Sequence, residues 1–347
     1  MMHRRSFLRA TALAATAPVW LHGRAARAQQ RLVVASFGGN LDQVYRRALA
    51  GFEARHGVTI EWVPGTAPGN IAKLQAGRAA PEYDVVFCEN ITQRQAAQQG
   101  LLAAIDPAAV PHYAALTERA RAPGADGAGI GGFVTGIYYR REAFAQRGWG
   151  APASWDDLAR PELGKVLGLE RATQVYTLNA VLMLAGADPA RIDAGIARFA
   201  QIARHAQVLE PTAAKHEEKI LLGEYLVGVN STIRALPLVA RQPDLTFVLP
   251  REGAVVSHTM VAPVRGAPHA ALAQAFVNEL LSPEVQAMLM RELFYSPVHR
   301  EVAVPEALRA LGVPDQATLA AMPRIDDDVV VAQRRDWTRR LERALGA

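Results

Sequence analysis

The sequence has 347 residues, of which 50% are hydrophobic and 20% are charged, and its formal net charge is +5. This length is sufficient for two α/β lobes with a sizeable core. The positive excess lies in residues 1–28, which contain five arginines and no acidic residue. Because the remaining chain is electrically balanced, its charge argues against nucleic acid or a membrane surface as a partner.

The first 28 residues carry the pattern of an export signal. Twin arginines stand at Arg4 and Arg5, an apolar stretch follows at residues 10–21, and residues 26–28 (Ala-Arg-Ala) suit cleavage. The apolar stretch is shorter than the roughly 20 residues that span a bilayer. We therefore expect a twin-arginine signal peptide, cleaved near Ala28, and a mature protein in the periplasm.

The first predicted unit of the mature chain is a strand, a glycine turn and a helix. Residues 32–35 form an apolar run typical of a buried parallel strand, and apolar residues recur at helical spacing over residues 41–52. Gly57 stands where a left-handed helix cap is usual, and residues 59–63 resume as a strand. Open α/β sheets bind ligands at the carboxyl ends of such strands. The candidate ligand residues of this turn are Ser36, Phe37, Gly38 and Gly39.

A second apolar strand is predicted at residues 84–88, ending in Cys88, the only cysteine of the chain. A single cysteine allows no intrachain disulfide, and a buried thiol is its simplest role. Glu89 and Asn90 follow at the strand exit, before a helix that ends near Gly100. They are candidate ligand contacts, with a solvated loop or a helix cap as the alternative.

The later elements alternate between helix and strand. A helix at 111–120 and a glycine-rich loop at 123–132 lead into a strand at 133–140, and a second long strand is predicted at 254–264. We interpret these two strands as hinge crossings between two lobes. The other predicted elements are a helix capped by Ser154, strands at 165–169, 226–229 and 245–249, and helices at 173–185, 190–203, 213–222, from 231, 270–281, 283–293 and 326–344.

This alternation predicts the α/β class, with mostly parallel sheets flanked by helices. We expect residues 29–135 to form the first part of lobe 1 and residues 136–254 to form lobe 2. Residues 255–347 are then expected to complete lobe 1 with the C-terminal helices.

Five short segments, in this order, resemble bacterial extracellular solute-binding proteins. They are residues 52–58, 83–86, 152–158, 252–262 and 281–287. Within that family the chain is most similar to the spermidine/putrescine-binding components of ABC transporters. The resemblance implies a type II periplasmic-binding-protein fold, whose two lobes close around a solute and dock on a membrane permease. We expect a monomer that performs no chemistry and holds neither a cofactor nor a metal.

The positions that hold a polyamine in that subgroup differ in this chain. The family tryptophan of the first loop corresponds to Phe37, and acids before the helix at 173 are replaced by Arg171 and Gln174. On the return strand the family pattern Trp-x-Asp corresponds to residues 257–259 (Ser-His-Thr), and a tryptophan before Asn230 is replaced by valine. A long dication needs carboxylates and aromatic faces, so these changes argue against a polyamine.

The same residues favour a small carboxylate or an amino-acid-like solute. Arg171 and Gln174, near a helix N-terminus, suit a carboxylate, and Glu89 suits an ammonium group. The alternative for Arg171 is a surface ion pair. Further candidate contacts are Asn230 and Ser231 at a strand-to-helix turn, Ser257 and Thr259 on one face of the return strand, and Thr135 and Tyr138 on the outgoing strand. A plain helix cap at Ser231 and a core position for Tyr138 remain open.

Other readings of the chain are a polyamine binder, a ferric-ion binder, a sensor subunit and an exported enzyme. Tyr138 and Tyr139 could supply oxygen ligands to iron, but adjacent strand residues point to opposite faces. Gly127, Gly129 and Gly132 match the spacing G-x-G-x-x-G but precede a strand, and no catalytic motif is present. The acidic run at 326–328 fits the start of a helix better than a cation site.

Overall fold

The computed structural model describes residues 30–346, so the predicted signal peptide lies outside the described residues. The strands are β1 (Gln30–Ser36), β2 (Val58–Pro64), β3 (Val85–Glu89), β4 (Ala128–Arg140), β5 (Leu167–Glu170), β6 (Leu209–Glu210), β7 (Val227–Ser231), β8 (Leu245–Val248) and β9 (Val256–Pro263). The α-helices are α1 (Gly39–Ala48), α2 (Ala50–His56), α3 (Ala67–Ala76), α4 (Asn90–Gln98), α5 (Arg141–Gln146), α6 (Val175–Leu184), α7 (Ile192–Ala203), α8 (Ala213–Leu222), α9 (Thr232–Val239), α10 (Ala270–Leu280), α11 (Pro283–Leu293), α12 (Glu306–Leu311), α13 (Gln316–Ala321) and α14 (Asp327–Leu345).

The strands of the described chain form one sheet with two halves. Its order is β2-β1-β3-β9-β4-β7-β5-β6, and β8 pairs with β4. In the first half, β1 is parallel to β2 and β3, and β9 is antiparallel to β3. In the second half, β5 is parallel to β6 and β7, and β4 is antiparallel to β7. Each half therefore contains three parallel strands, as the alternation of elements predicted, but the strands β4, β8 and β9 pair antiparallel, so the sheet is mixed.

The strand β4 connects the two halves. Its residues 128–134 pair with β9, whereas residues 135–139 pair with β7. The chain returns from β8 to β9 through residues 249–255, and the Thr135 amide donates to the Val255 carbonyl over 3.4 Å. The two predicted crossings thus run side by side. A ligand cleft can form where they separate the halves.

The strand β4 is longer than the sequence predicted, because residues 128–132 of the expected glycine-rich loop belong to it. The reason is packing in the first half. A Cβ atom at Gly131 would lie 2.3 Å from the Tyr295 ring, so only glycine lets the ring lie against the strand. The glycines in this run serve the sheet and do not form a nucleotide-binding turn.

Each half has its own apolar core. The first contains Leu32, Val34 and Phe87 with apolar residues of α1, α10 and α11. The second contains Leu167 and Leu169 with residues of α6 and α7. The long helix α14 also contributes to this second core, through Val330, Trp337 and Leu341. The expectation that residues 255–347 all return to lobe 1 therefore does not describe α14, whose apolar face packs on the other half.

Local signals in the sequence gave mixed results. The capping box at Ser154 and the left-handed cap at Gly57 are present as predicted. The helix predicted at 111–120 is instead two short 3-10 helices, Pro111–Ala115 and Glu118–Ala120. The sequence analysis did not predict β6, α5, α12 or α13, which are between two and six residues long and too short to show a clear period.

Candidate ligand-binding site

A large cleft lies at the junction of the two halves, with a volume of about 1090 Å³. The exit of β3, the start of α4 and the strand β9 line it from the first half. The starts of α6 and α9 line it from the second half, and the first two turns of α14 close one side. This position, outside the carboxyl ends of parallel strands, is where open α/β sheets hold ligands.

Glu89 places a carboxylate in this cleft from the first half. It is the last residue of β3, and its backbone pairs with Thr259 of β9. Among the described residues it has no salt bridge, and it is partly buried. This desolvation raises the pKa of Glu89, while the positive charge of Arg334 acts in the opposite direction. An ammonium group from a ligand would therefore satisfy a carboxylate that the protein leaves without a salt bridge.

The first loop contributes Phe37 to the cleft lining. The other predicted residues of this loop shape it instead. The Ser36 hydroxyl donates to Asp42 over 2.6 Å, and the Gly38 amide donates to the same carboxylate over 3.0 Å. Gly38 has a φ of 78° and would clash with Pro64 if it carried a Cβ. Neither glycine nor Ser36 lines the cleft, because Asp42 uses the polar groups of this turn.

The strand β9 lines the cleft with consecutive residues, including Ser257, His258 and Thr259. The expectation that only one face of this strand is available was therefore too narrow. The Thr259 and Tyr295 hydroxyls are 2.8 Å apart, and the Asn90 side chain accepts from the His258 amide over 3.3 Å. Burial lowers the pKa of His258 to about 4, so this histidine is neutral near pH 7.

The second half contributes the N-terminus of α6. Gln174 is its N-cap residue, and Thr173, Gln174, Val175 and Tyr176 line the cleft. Burial raises the pKa of Tyr176 to about 12, so its phenol remains a hydrogen-bond donor. Arg171, the predicted anion ligand, is exposed and does not line the cleft. It lies one residue after β5, where its backbone amide donates to the Glu210 carbonyl over 3.0 Å.

Three further predicted residues lie behind the cleft wall. The Thr135 hydroxyl accepts from Asn179 over 2.8 Å, and Asn179 itself lines the cleft. Asn230 donates to Glu217 over 3.1 Å and is fully buried. Ser231 is the N-cap residue of α9, and its buried hydroxyl has no hydrogen-bond partner among the described residues. These residues hold wall elements in place and do not contact the open cleft.

Tyr138 belongs to the core and not to the ligand site. It is fully buried with Ile220 and Tyr225, and its hydroxyl lies 3.5 Å from His216. Tyr139 points to the opposite side of β4 and packs in the second core. The tyrosine pair therefore cannot present two phenols to one ion, as the alternation of strand side chains indicates.

The sequence analysis did not predict the contribution of α14. Asp327 accepts two hydrogen bonds from Asn90, at 2.9 and 3.0 Å, and Asp328 pairs with Arg94 of α4. Further along the helix, Arg334 lines the cleft. One feature of the sequence could have indicated the role of Arg334. This residue lies on the apolar stripe formed by Val330, Trp337 and Leu341, where a charged residue is unusual.

Most charges of the cleft are already paired. Arg234 pairs with Glu217, Arg324 with Glu118, and Arg94 with Asp328. Arg119 donates to the carbonyls of Ala320, Met322 and Pro323. Within the described chain, three charged lining residues form no salt bridge, namely Glu89, Arg121 and Arg334. The open charges of the cleft are thus one carboxylate and two guanidinium groups.

The described residues contain no group of three His, Cys, Asp or Glu side chains that could hold a metal ion. No helix between residues 30 and 346 is long and apolar enough to cross a membrane. The polar groups of the cleft suit a small charged organic ligand.

Comparison with known proteins gives a consistent result. The sequence pattern described as bacterial extracellular solute-binding protein matches residues 47–311. The gamma-aminobutyric acid-binding protein of Pseudomonas aeruginosa is 27% identical over 297 residues, covering 80% of this chain and 79% of that protein. An ABC transporter structure from Clostridium perfringens has a TM-score of 0.76 at 20% identity, covering 90% of this chain and 99% of that one. The spermidine/putrescine ABC transporter substrate-binding protein of Streptococcus pneumoniae has a TM-score of 0.74 at 17% identity, covering 91% of this chain and 99% of that one.

The two structural likenesses confirm the predicted periplasmic-binding-protein fold. The family pattern extends over most of the chain, from the end of α1 to the end of α12. The chain therefore belongs to the bacterial extracellular solute-binding protein family.

Proposed function

We propose that this protein is the periplasmic solute-binding component of an ABC importer, and that its solute is a small amino-acid-like compound with an ammonium and a carboxylate group. The observation that carries the proposal is the set of open charges in the cleft. One partly buried carboxylate, Glu89, lines a cleft that also contains the guanidinium groups of Arg121 and Arg334, and none of the three has a salt bridge in the described chain. A zwitterion satisfies both signs of charge in one site.

The ammonium end of the solute fits the first lobe, which is the half of the protein that contains β1, β2, β3 and β9. The Glu89 carboxylate supplies the negative charge, and Phe37 supplies an aromatic face at the same side of the cleft. Cations are attracted both to a desolvated carboxylate and to the face of an aromatic ring. Ser257 and Thr259 add hydroxyl groups on the neighbouring strand. These four residues, with Asn90, are the part of the predicted ligand set that lines the first-lobe wall.

The carboxylate end fits the side of the cleft formed by α6 and α14. The N-terminus of α6 presents backbone amides and the positive end of the helix dipole, which favour an anion. Gln174 and Tyr176 add side-chain donors there. The gamma-aminobutyric acid-binding relative is named for a solute of this class, which supports the proposal without fixing the chain length.

As the binding component of an importer, the protein would deliver its solute to a membrane permease. Solute binding between two lobes stabilises the conformation to which the solute binds best, and the permease can then recognise that conformation. We propose that the protein acts as a monomer, because one chain supplies both walls of the cleft. The sequence signal at residues 1–28 supports a periplasmic location.

The first test is a thermal-shift screen of the purified protein against ω-amino acids, α-amino acids, monocarboxylates, spermidine, putrescine and ferric citrate. A solute at 100 times its dissociation constant adds about 2.7 kcal/mol of stability, which raises the melting temperature measurably. Stabilisation by an amino acid is the expected result. Stabilisation only by polyamines or ferric citrate, or by nothing in the panel, would contradict the proposed solute class. Loss of uptake of the identified solute in cells that lack the gene would support the importer role.

A further inference from the structure

We infer that Arg334, on the C-terminal helix α14, binds the carboxylate of the solute and is the residue that selects zwitterions over simple amines. The inference rests on the proposed function and assigns one end of the proposed solute. The residue lies after residue 311, where the family pattern ends, so the family match does not assign it.

The helix α14 holds Arg334 rigidly at the cleft. Val330, Trp337 and Leu341 lie on the same helical face and are between 0% and 5% exposed. They anchor α14 in the core of the second lobe, and Arg340 pairs with Asp193 of α7. Arg334 occupies the middle of this buried stripe, where side chains three and four residues apart lie over one another. Its neighbours on this stripe are packed in the core, and Arg334 itself is partly buried and lines the cleft.

The same helix is also tied to the first lobe, beside the proposed ammonium site. Asp327 accepts both hydrogen bonds from Asn90, the residue that follows Glu89, and Asp328 pairs with Arg94. From Asp327 to Arg334 the helix rises about 10 Å. The helix thus sets the separation between Glu89 and Arg334, and both side chains line the same cleft. A solute with charges of opposite sign at its two ends can bridge them.

Arg334 is the best available carboxylate partner among the arginines of the cleft. Arg94, Arg234 and Arg324 already form ion pairs with acids of the protein. Arg119 is occupied by backbone carbonyls. Arg121 also forms no salt bridge in the described chain, but Arg334 is the arginine whose positive charge acts to lower the pKa of Glu89. Arg334 therefore combines the absence of a salt bridge in the described chain with an attractive charge effect on Glu89, and both side chains line the same cleft.

The test compares three variants by isothermal titration calorimetry, using 4-aminobutyrate or the ω-amino acid that stabilises the wild-type protein most. Arg334→Gln removes the guanidinium group, and Arg334→Lys keeps the charge without the planar fork. Arg335→Gln is the matched control, because Arg335 is exposed on the same helix. Its replacement by glutamine removes the same charge from the protein as Arg334→Gln does. Two analogues, propylamine and butyrate, each retain one charged group of 4-aminobutyrate.

We expect Arg334→Gln to weaken 4-aminobutyrate binding about 10- to 100-fold, the range for losing a charged hydrogen bond. Arg334→Lys should recover part of this loss, and Arg335→Gln should bind like the wild type. Propylamine should bind the wild type and Arg334→Gln equally, because it has no carboxylate. An equal loss for propylamine would show general damage to the cleft and overturn the assignment.

Two other results would also overturn it, and they differ from each other. If the wild type binds an ω-amino acid and Arg334→Gln binds it equally well, the carboxylate contacts another group, and a loss in Arg121→Gln would identify that group as Arg121. The proposed function survives this result. If the wild type binds no amino acid, both the proposed solute class and the role of Arg334 are wrong.

Discussion

Replacing Glu89 with glutamine should change solute affinity and stability in opposite directions. The wild-type carboxylate is partly buried, has no salt bridge in the described chain, and lines the cleft where an ammonium group could pair with it. Glutamine keeps the shape but cannot form an ion pair. The loss of one charged hydrogen bond is worth about 1.5–3 kcal/mol, so affinity for an amino acid should fall about 10- to 100-fold.

In the absence of solute, the Glu89→Gln substitution should increase the stability of the protein at neutral pH. Desolvation raises the pKa of Glu89, so the folded state binds a proton more tightly than the unfolded state. The free energy of unfolding of the wild type therefore falls as the pH rises from about 4.3, the usual pKa of glutamate, through the raised pKa. The free energy of unfolding of Glu89→Gln does not fall in this way, because glutamine does not ionise. We expect the variant to match the wild type near pH 4 and to be more stable than the wild type at pH 7.

The assay is urea denaturation from pH 4 to pH 8, with calorimetric titration of the solute over the same range. Wild-type affinity should rise with pH as Glu89 ionises, and Glu89→Gln should not show this rise. Burial also raises the pKa of Asp327, but that group titrates in both proteins and cancels in the difference. Glu142→Gln is the control, because Glu142 is exposed and has no ion pair among the described residues. A variant that is less stable than the wild type at pH 7 and binds solute normally would refute the reasoning.

Two further predictions concern the scaffold of the cleft. Gly131→Ala should destabilise the protein by about 1–3 kcal/mol, since the new Cβ would lie 2.3 Å from the Tyr295 ring. Urea denaturation checks this against Gly150→Ala, where no atom lies within 4 Å, and equal stabilities would contradict the packing argument. Trp337→Ala should cost about 3–5 kcal/mol and weaken solute binding, because the side chain is 2% exposed and anchors α14. Gln333→Ala, at an exposed position of the same helix, is its control, and unchanged binding in Trp337→Ala would show that α14 does not shape the cleft.

The sequence by itself determined the local elements and the class of fold. Apolar runs identified β1 and β3, and helical spacing with end signals identified α8, α10 and α11 within a residue or two. These signals depend on neighbouring residues, and a strand exit such as Glu89 is visible in one short stretch. The same local reading correctly put Phe37 and Glu89 at the ends of strands, where a sheet can present them to a ligand.

Only the tertiary structure decided which polar residues meet. Ser36 is adjacent to Phe37 in the sequence, but Asp42 occupies its hydroxyl. Arg171 has the right charge and precedes the right helix, but its side chain lies outside the cleft. Arg334 is 245 residues from Glu89 and shares the cleft because α14 packs on the second lobe and is hydrogen-bonded to the first. Periodicity shows which residues share a face of one element, but the packing of distant elements determines what that face contacts.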